Sequence, residues 1–175
     1  MPGLHRFVPS VVCALLAVAC TPTLDWREIR PEGGALIAMF PCRPDRHVRD
    51  VTLAGVRTRM NLMVCEAGGN TFALAWIDVP GAAGTSAALA DLRRLAAEHI
   101  GAPSPGTAPL RLIGSTPDPQ AAELRLQGRL PDGAEVHERA VFFAHGQRAY
   151  QASAIGRRLD EAAAQEFVAG LKLLP

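Results

Sequence analysis

The stretch Asp25-Trp26-Arg27-Glu28-Ile29-Arg30-Pro31-Glu32-Gly33-Gly34-Ala35-Leu36-Ile37-Ala38-Met39-Phe40-Pro41-Cys42 sets two apolar-rich runs on either side of Pro31-Glu32-Gly33-Gly34. Glycine takes positive φ without a Cβ penalty, so this centre suits a tight reversal. The stretch therefore predicts a β-hairpin, residues 26–30 against 35–40. Pro41-Cys42-Arg43-Pro44 then ends regular pairing, because two prolines remove ladder donors. Everything downstream reads as the rest of one domain, and everything upstream as a leader.

In the leader, His5 and Arg6 give a weakly basic start, and residues 7–19 are apolar apart from Pro9 and Ser10. As a helix that apolar run rises only about 20 Å, short of the ~30 Å hydrocarbon core of a bilayer, so an export signal is expected rather than a permanent span. Leu16-Ala17-Val18-Ala19-Cys20 resembles a bacterial lipobox, with small residues ahead of a cysteine that is acylated after cleavage. It departs from that pattern in having Ala17 where leucine is usual, with Leu16 one position further out. The expected organisation is a signal peptide at 1–19, a lipidated tether at 20–24 starting at Cys20, and a single domain at 25–175. Acyl chains contribute about 0.8 kcal/mol per buried CH₂, enough together to hold a globular domain at a bilayer. Thr21 stands where aspartate would be the inner-membrane retention signal of lipoproteins, so that resemblance implies the outer membrane, facing the periplasm. Cleavage by ordinary signal peptidase near residues 17–19, leaving a soluble periplasmic protein, is the alternative.

A chain of 175 residues suits one domain plus a targeting segment, and 49% apolar residues suffice for a core. With six Phe, two Trp and one Tyr, the packing falls mainly to Ala, Leu and Val. Residues 1–19 hold one of the 18 basic residues and none of the 17 acidic ones, so the remainder is neutral, 17 against 17. That balance gives no stripe of the kind that neutralises phosphates, and no nucleic-acid partner is expected. Between Arg43 and Arg59 five arginines outnumber two aspartates. A solvated strand face accounts for this by default; the sharper reading is an anion or lipid head-group site at Arg57 and Arg59.

Of four cysteines, Cys13 lies in the signal and Cys20 is the lipidation candidate. Cys42 and Cys65 remain as an even pair in an oxidising compartment, which predicts a disulfide. His47 nearby completes only three irregularly spaced ligands, so no metal site is assigned.

Downstream, residues 46–53 and 56–65 read as strands joined at Ala54-Gly55. In the second, Val56, Thr58, Met60, Leu62 and Val64 share one face, opposite Arg57, Arg59, Asn61 and Met63, as in a half-buried strand. Residues 71–79 lack a polar face until Asp78 and suit a strand covered on both sides. Thr85 or Ser86 is expected to cap a helix whose inner stripe runs from Ala88 to Ile100 through Leu89, Leu92, Leu95, Ala96 and a partly buried His99. Gly101 stops it. Residues 102–109 read as a loop, 110–115 as a strand, then 123–130, 135–145 and 148–155 as an antiparallel meander turning at Pro131-Asp132-Gly133 and His145-Gly146-Gln147. Asp160 caps a last helix over 161–171. Strands in runs, without strict β-α alternation, predict an α+β fold: an antiparallel β-sheet with two helices packed on it.

Phe40-Pro41-x-x-Pro44 after a hairpin, a strand ending Asp78-Val79-Pro80 before a helix, and the closing Phe167-Val168-x-x-Leu171-Lys172-Leu173 are similar to the PsbP-like superfamily, which includes small bacterial envelope proteins. The likeness spans nearly the whole chain after the leader, through short apolar motifs. It implies helices on an antiparallel sheet and binding or assembly work, and carries over no ligand residue.

No nucleophile elbow, Walker loop, H-E-x-x-H or G-x-G-x-x-G occurs. A Cys42 or Cys65 nucleophile served by His137 or His145 would require the disulfide to be absent. In His137-Glu138-Arg139, His137 and Arg139 share a strand face and read as a solvent-exposed pair. No catalytic residue and no cofactor are assigned. The expected function is a lipid-anchored interaction or scaffold domain of the cell envelope, held to the membrane by its lipid and serving an envelope protein partner. A binder of a small apolar or anionic ligand between sheet and helix is the alternative, and an enzyme with an unrecognised site a third.

Overall fold

In the computed structural model, which describes residues 23–103 and 106–174, the opening stretch folds as a hairpin. Strand β1 (Arg27–Ile29) pairs antiparallel with β2 (Leu36–Phe40), Glu28 opposite Met39, and Gly33 takes φ +64° in the turn. A two-residue strand near the C-terminus, β10 (Lys172–Leu173), pairs with the other edge of β2 and completes a three-stranded sheet.

The larger sheet has seven strands, every neighbouring pair antiparallel. In chain order they are β3 (Asp45–Leu53), β4 (Val56–Ala67), β5 (Asn70–Asp78), β6 (Gly106–Pro109), β7 (Ala122–Arg129), β8 (Glu135–His145) and β9 (Arg148–Gly156). Their spatial order is β3-β4-β5-β9-β8-β7-β6. Helix α1 (Gly81–His99) covers one face and helix α2 (Glu161–Ala169) with the small sheet covers the other, so the fold is α+β, as the sequence predicts. Alternation sorts β5 between two cores: Phe72, Leu74 and Trp76 face α2, while Ile77 joins Leu89, Leu92 and Phe142 beneath α1. Asp160 caps α2 as predicted, its Oδ1 accepting from the Ala163 N–H at 3.0 Å. Among the described residues no helix is long and apolar enough to cross a membrane.

Several sequence readings need correction. On β4 the buried side chains are Met63 and Cys65, on the file opposite the one read as inward, whereas Val56 is exposed. The reason is coverage: the second half of β4 packs toward α2 and the small sheet, with Phe40 and Phe72, while Met60 in its first half packs on the α1 side. Helix α1 begins one turn early. Pro80 takes the N-cap position without a side-chain cap, and Thr85 Oγ1 donates back to the Gly81 carbonyl at 3.0 Å. Ser86 instead donates to Asp118 Oδ1 at 3.1 Å. The apolar stripe is narrower than expected, leaving His99 and Leu95 exposed.

Residues 106–109 form the edge strand β6, where a proline is tolerated because no further strand needs its N–H. Residues 110–115 are not a strand; Ser115 N–H donates to the Leu112 carbonyl in a turn. Gly128 explains how closely α1 ends on the sheet. A Cβ there would stand 1.9 Å from the Ile100 carbonyl oxygen, which accepts from the Arg129 N–H at 2.6 Å.

Cys42 and Cys65 are disulfide-bonded, S–S 2.09 Å and Cα–Cα 6.0 Å, 23 residues apart. The bond fastens the end of the first hairpin to β4 within the α2-side core. Replacing both cysteines by serine is expected to lower stability by about 3 kcal/mol, the loop-closure contribution for this spacing. Denaturant midpoints of the oxidised protein and the double variant measure it.

Candidate functional site

Helix α2 has nine residues and packs chiefly on β9 and β2, so much of the cover over the same face of β7 and β8 comes from elsewhere. The segment after β6 returns along that face. His145 Nδ1 lies 2.9 Å from the Gly114 carbonyl, and Thr116 N–H donates to the Ala144 carbonyl at 2.8 Å, pinning the segment to the end of β8. Between this segment, α2 and β10 lies a cleft of about 580 Å³, within the range of small-molecule sites. Leu110, Leu112, Val141, Val168, Leu171 and Leu173 wall it, and Arg111 and Lys172 stand exposed among its lining residues.

At its floor is Arg139, its side chain only 6% exposed, with Nε 2.9 Å from Glu123 Oε1. The two are diagonal neighbours: Arg139 lies directly opposite Arg125 on β7, and Glu123 opposite Val141. Their contact lacks hydrogen-bond alignment, so Nε is a buried donor without a hydrogen-bond acceptor. The solvent-exposed pair expected of His137 and Arg139 is therefore corrected for Arg139. It shares the inward file of Val141 and Phe143, and the charge is accommodated by Glu123.

His137 lies instead in an adjoining polar groove of about 550 Å³ with Arg125, Gln127, Arg129, Glu135 and Glu161. Several of the polar groups there pair with one another. Gln127 Nε2 donates to Glu135 Oε1 at 2.9 Å, and Arg125 Nη1 lies 3.2 Å from Glu161 Oε2. A third depression of about 330 Å³ beside Trp76 is closed by Arg148, which grips Asp78 with Nε at 2.6 Å and Nη2 at 3.0 Å. This clamp holds the Arg148 guanidinium even more firmly protonated than usual, the Asp78 hydrogen bonds being the main cause.

On the opposite face Glu138 is 6% exposed, between Leu126 and Ile155 in the strand register. Burial lifts its carboxyl from the ordinary 4.5 to about 7, with the Ser153 hydroxyl opposing part of the shift.

Arg57 and Arg59 are exposed on β4, Arg57 Nη2 lying 3.1 Å from Asp50 Oδ2, and neither lines the cavities above. Cys20 lies outside the described residues. Among the described residues no group of His, Cys, Asp and Glu is arranged to hold a metal ion. No protein-family model matches the chain. No curated protein matches it either.

The residue that sequence reasoning missed is Arg139. Its file runs Glu135, His137, Arg139, Val141 and Phe143, so Arg139 closes a polar run and nothing in the sequence marks it as buried.

Proposed function

We propose that the chain is a binding module of the bacterial cell envelope, holding an amphiphilic anion in the cleft between α2 and the sheet, and that it carries out no catalysis. One observation carries this reading: a buried guanidinium with an unsatisfied donor at the floor of an apolar cleft. An anionic head group would supply the missing acceptor, and its hydrocarbon would take the place of water against the leucine walls. The lipobox-like run supports an acyl anchor on Cys20, with the domain facing the periplasm from the outer membrane. The PsbP-like resemblance agrees with binding rather than chemistry.

Native mass spectrometry of the full chain purified from membranes tests the cleft. The wild type should carry a single-chain anionic amphiphile. Arg139→Met should bind it about 10- to 100-fold more weakly, the loss of one charge-assisted contact. Retention of wild-type affinity by that variant overturns the reading.

A second reading, docking of an envelope protein along β3, is favoured by one observation. β3 is a nine-residue edge strand on which Val48 is 59% exposed. A photocrosslinker at Val48 that captures no envelope protein in cells counts against it.

A further inference from the structure

Arg139 and Arg125 stand directly opposite one another in the β7–β8 register, where like charges repel. Glu123, one diagonal step along β7, places Oε1 between them, 2.9 Å from Arg139 Nε and 3.8 Å from Arg125 Nε. The nearer contact is not aligned as a hydrogen bond, so Arg139 gains a counter-charge while Nε stays unsatisfied. The more distant one offers the same carboxylate a second cation, on a side chain that is itself well exposed. Arg125 is tied in turn to Glu161 in the first turn of α2. Four alternating charges thus run from the cleft floor to the helix that walls it.

We propose that Glu123 is an internal competitor for the ligand: it occupies, with a side-chain carboxylate, the place that the carboxylate of a fatty-acid-type amphiphile takes on Arg139. This rests on the cleft reading above. When the ligand enters, its carboxylate aligns with the guanidinium and Glu123 shifts onto Arg125. Only ionic contacts are exchanged; no covalent bond forms or breaks and no proton moves. The displaced carboxylate keeps a cation, so the exchange does not strand a buried charge. A neutral chain of the same length gains the apolar walls alone and leaves Glu123 where it is. Glu123 therefore keeps the affinity for charged head groups moderate and narrows the cleft's preference for them over neutral chains.

The test titrates dodecanoate and dodecanol into the purified full chain, the Glu123→Gln variant and the Glu123→Asp variant. Each affinity is paired with a thermal shift measured against that variant's own unliganded state. Glu123→Asp keeps the charge but withdraws it from Arg139, so it covers the case in which Glu123→Gln folds poorly. Dodecanoate should bind both variants at least about tenfold more tightly than the wild type, because the competing carboxylate is gone or out of reach. Dodecanol should bind weakly and equally to all three. Wild-type binding of dodecanoate with no gain in either variant overturns the competitor role and leaves the cleft reading standing. Equal gains for dodecanol also overturn it, since they would mean that the substitutions merely enlarge the cleft. Failure of dodecanoate to bind any of the three overturns the cleft reading itself.

Discussion

Phe167→Ala should lower the unfolding free energy by about 4 kcal/mol, within the range for removing a large aromatic side chain from a core. Phe167 is fully buried and meets two other rings edge-on, Phe40 at 5.1 Å and Phe72 at 5.5 Å between centroids. Those rings come from the small sheet and from β5, so this one side chain joins three elements. Edge-to-face pairs contribute about 0.5–1.5 kcal/mol beyond area burial, and both are lost together. The hold on α2 should suffer most. A helix of nine residues is too short to persist in water by its own propensity, so its place depends on the face it buries. Chemical denaturation of the wild type, Phe167→Ala and Phe167→Leu provides the check, with the leucine variant losing much less. Because α2 also walls the cleft, the alanine variant should bind dodecanoate more weakly even where it remains folded. A loss below about 1 kcal/mol would mean that neighbouring side chains collapse into the space, and that the packing seen here does not hold α2 in place.

The turns were the legible part of this fold. Pro31-Glu32-Gly33-Gly34, Ala54-Gly55 and Pro131-Asp132-Gly133 each carry their own backbone chemistry, so the hairpins they join could be placed without any tertiary information. The double-sided burial of β5 was legible as well, because a strand with no polar file has no solvent face. By contrast, β6 and β10 span four and two residues, too few to show a period, and each exists only because a distant partner strand is there. The inner face of β4 was misread for a related reason. Alternation says that two files differ, but which one is covered depends on what packs above it.

The candidate site was less legible than the fold. Arginines at 57 and 59 drew attention by their clustering, yet both lie on an exposed hairpin. Arg139 was read as half of a solvent-exposed pair with His137, because a charge on a strand is expected at the surface. What makes its burial tolerable is Glu123 on the neighbouring strand, and that pairing follows from the register of β7 against β8. Register was recoverable in principle, since Pro131-Asp132-Gly133 sets it, but which face α2 leaves open was not.

Glu138→Gln should remove a pH dependence of stability amounting to about 3 kcal/mol. The folded carboxyl titrates near 7 and the unfolded one near 4.5, the shift arising first from burial. Folded protein therefore binds more protons than unfolded protein between those values, and wild-type stability falls as pH rises through that window. Below about pH 4.5 both states are protonated and Glu138 costs nothing on this account. Above about pH 7 the folded state must hold a carboxylate in an apolar layer, where Leu126 and Ile155 flank it. Glutamine has nearly the same shape and can still meet the Ser153 hydroxyl, but it never ionises. Unfolding free energies of the two proteins should thus be similar at pH 4.5, diverge steadily, and differ by the full amount at pH 8, with the variant the more stable. All other titrating groups are common to both proteins and cancel in the difference. A difference that stays constant from pH 4.5 to 8 would show that the buried carboxylate is matched by a partner at neutral pH. A difference of opposite sign would show that its ionised form is the one the fold is built to hold.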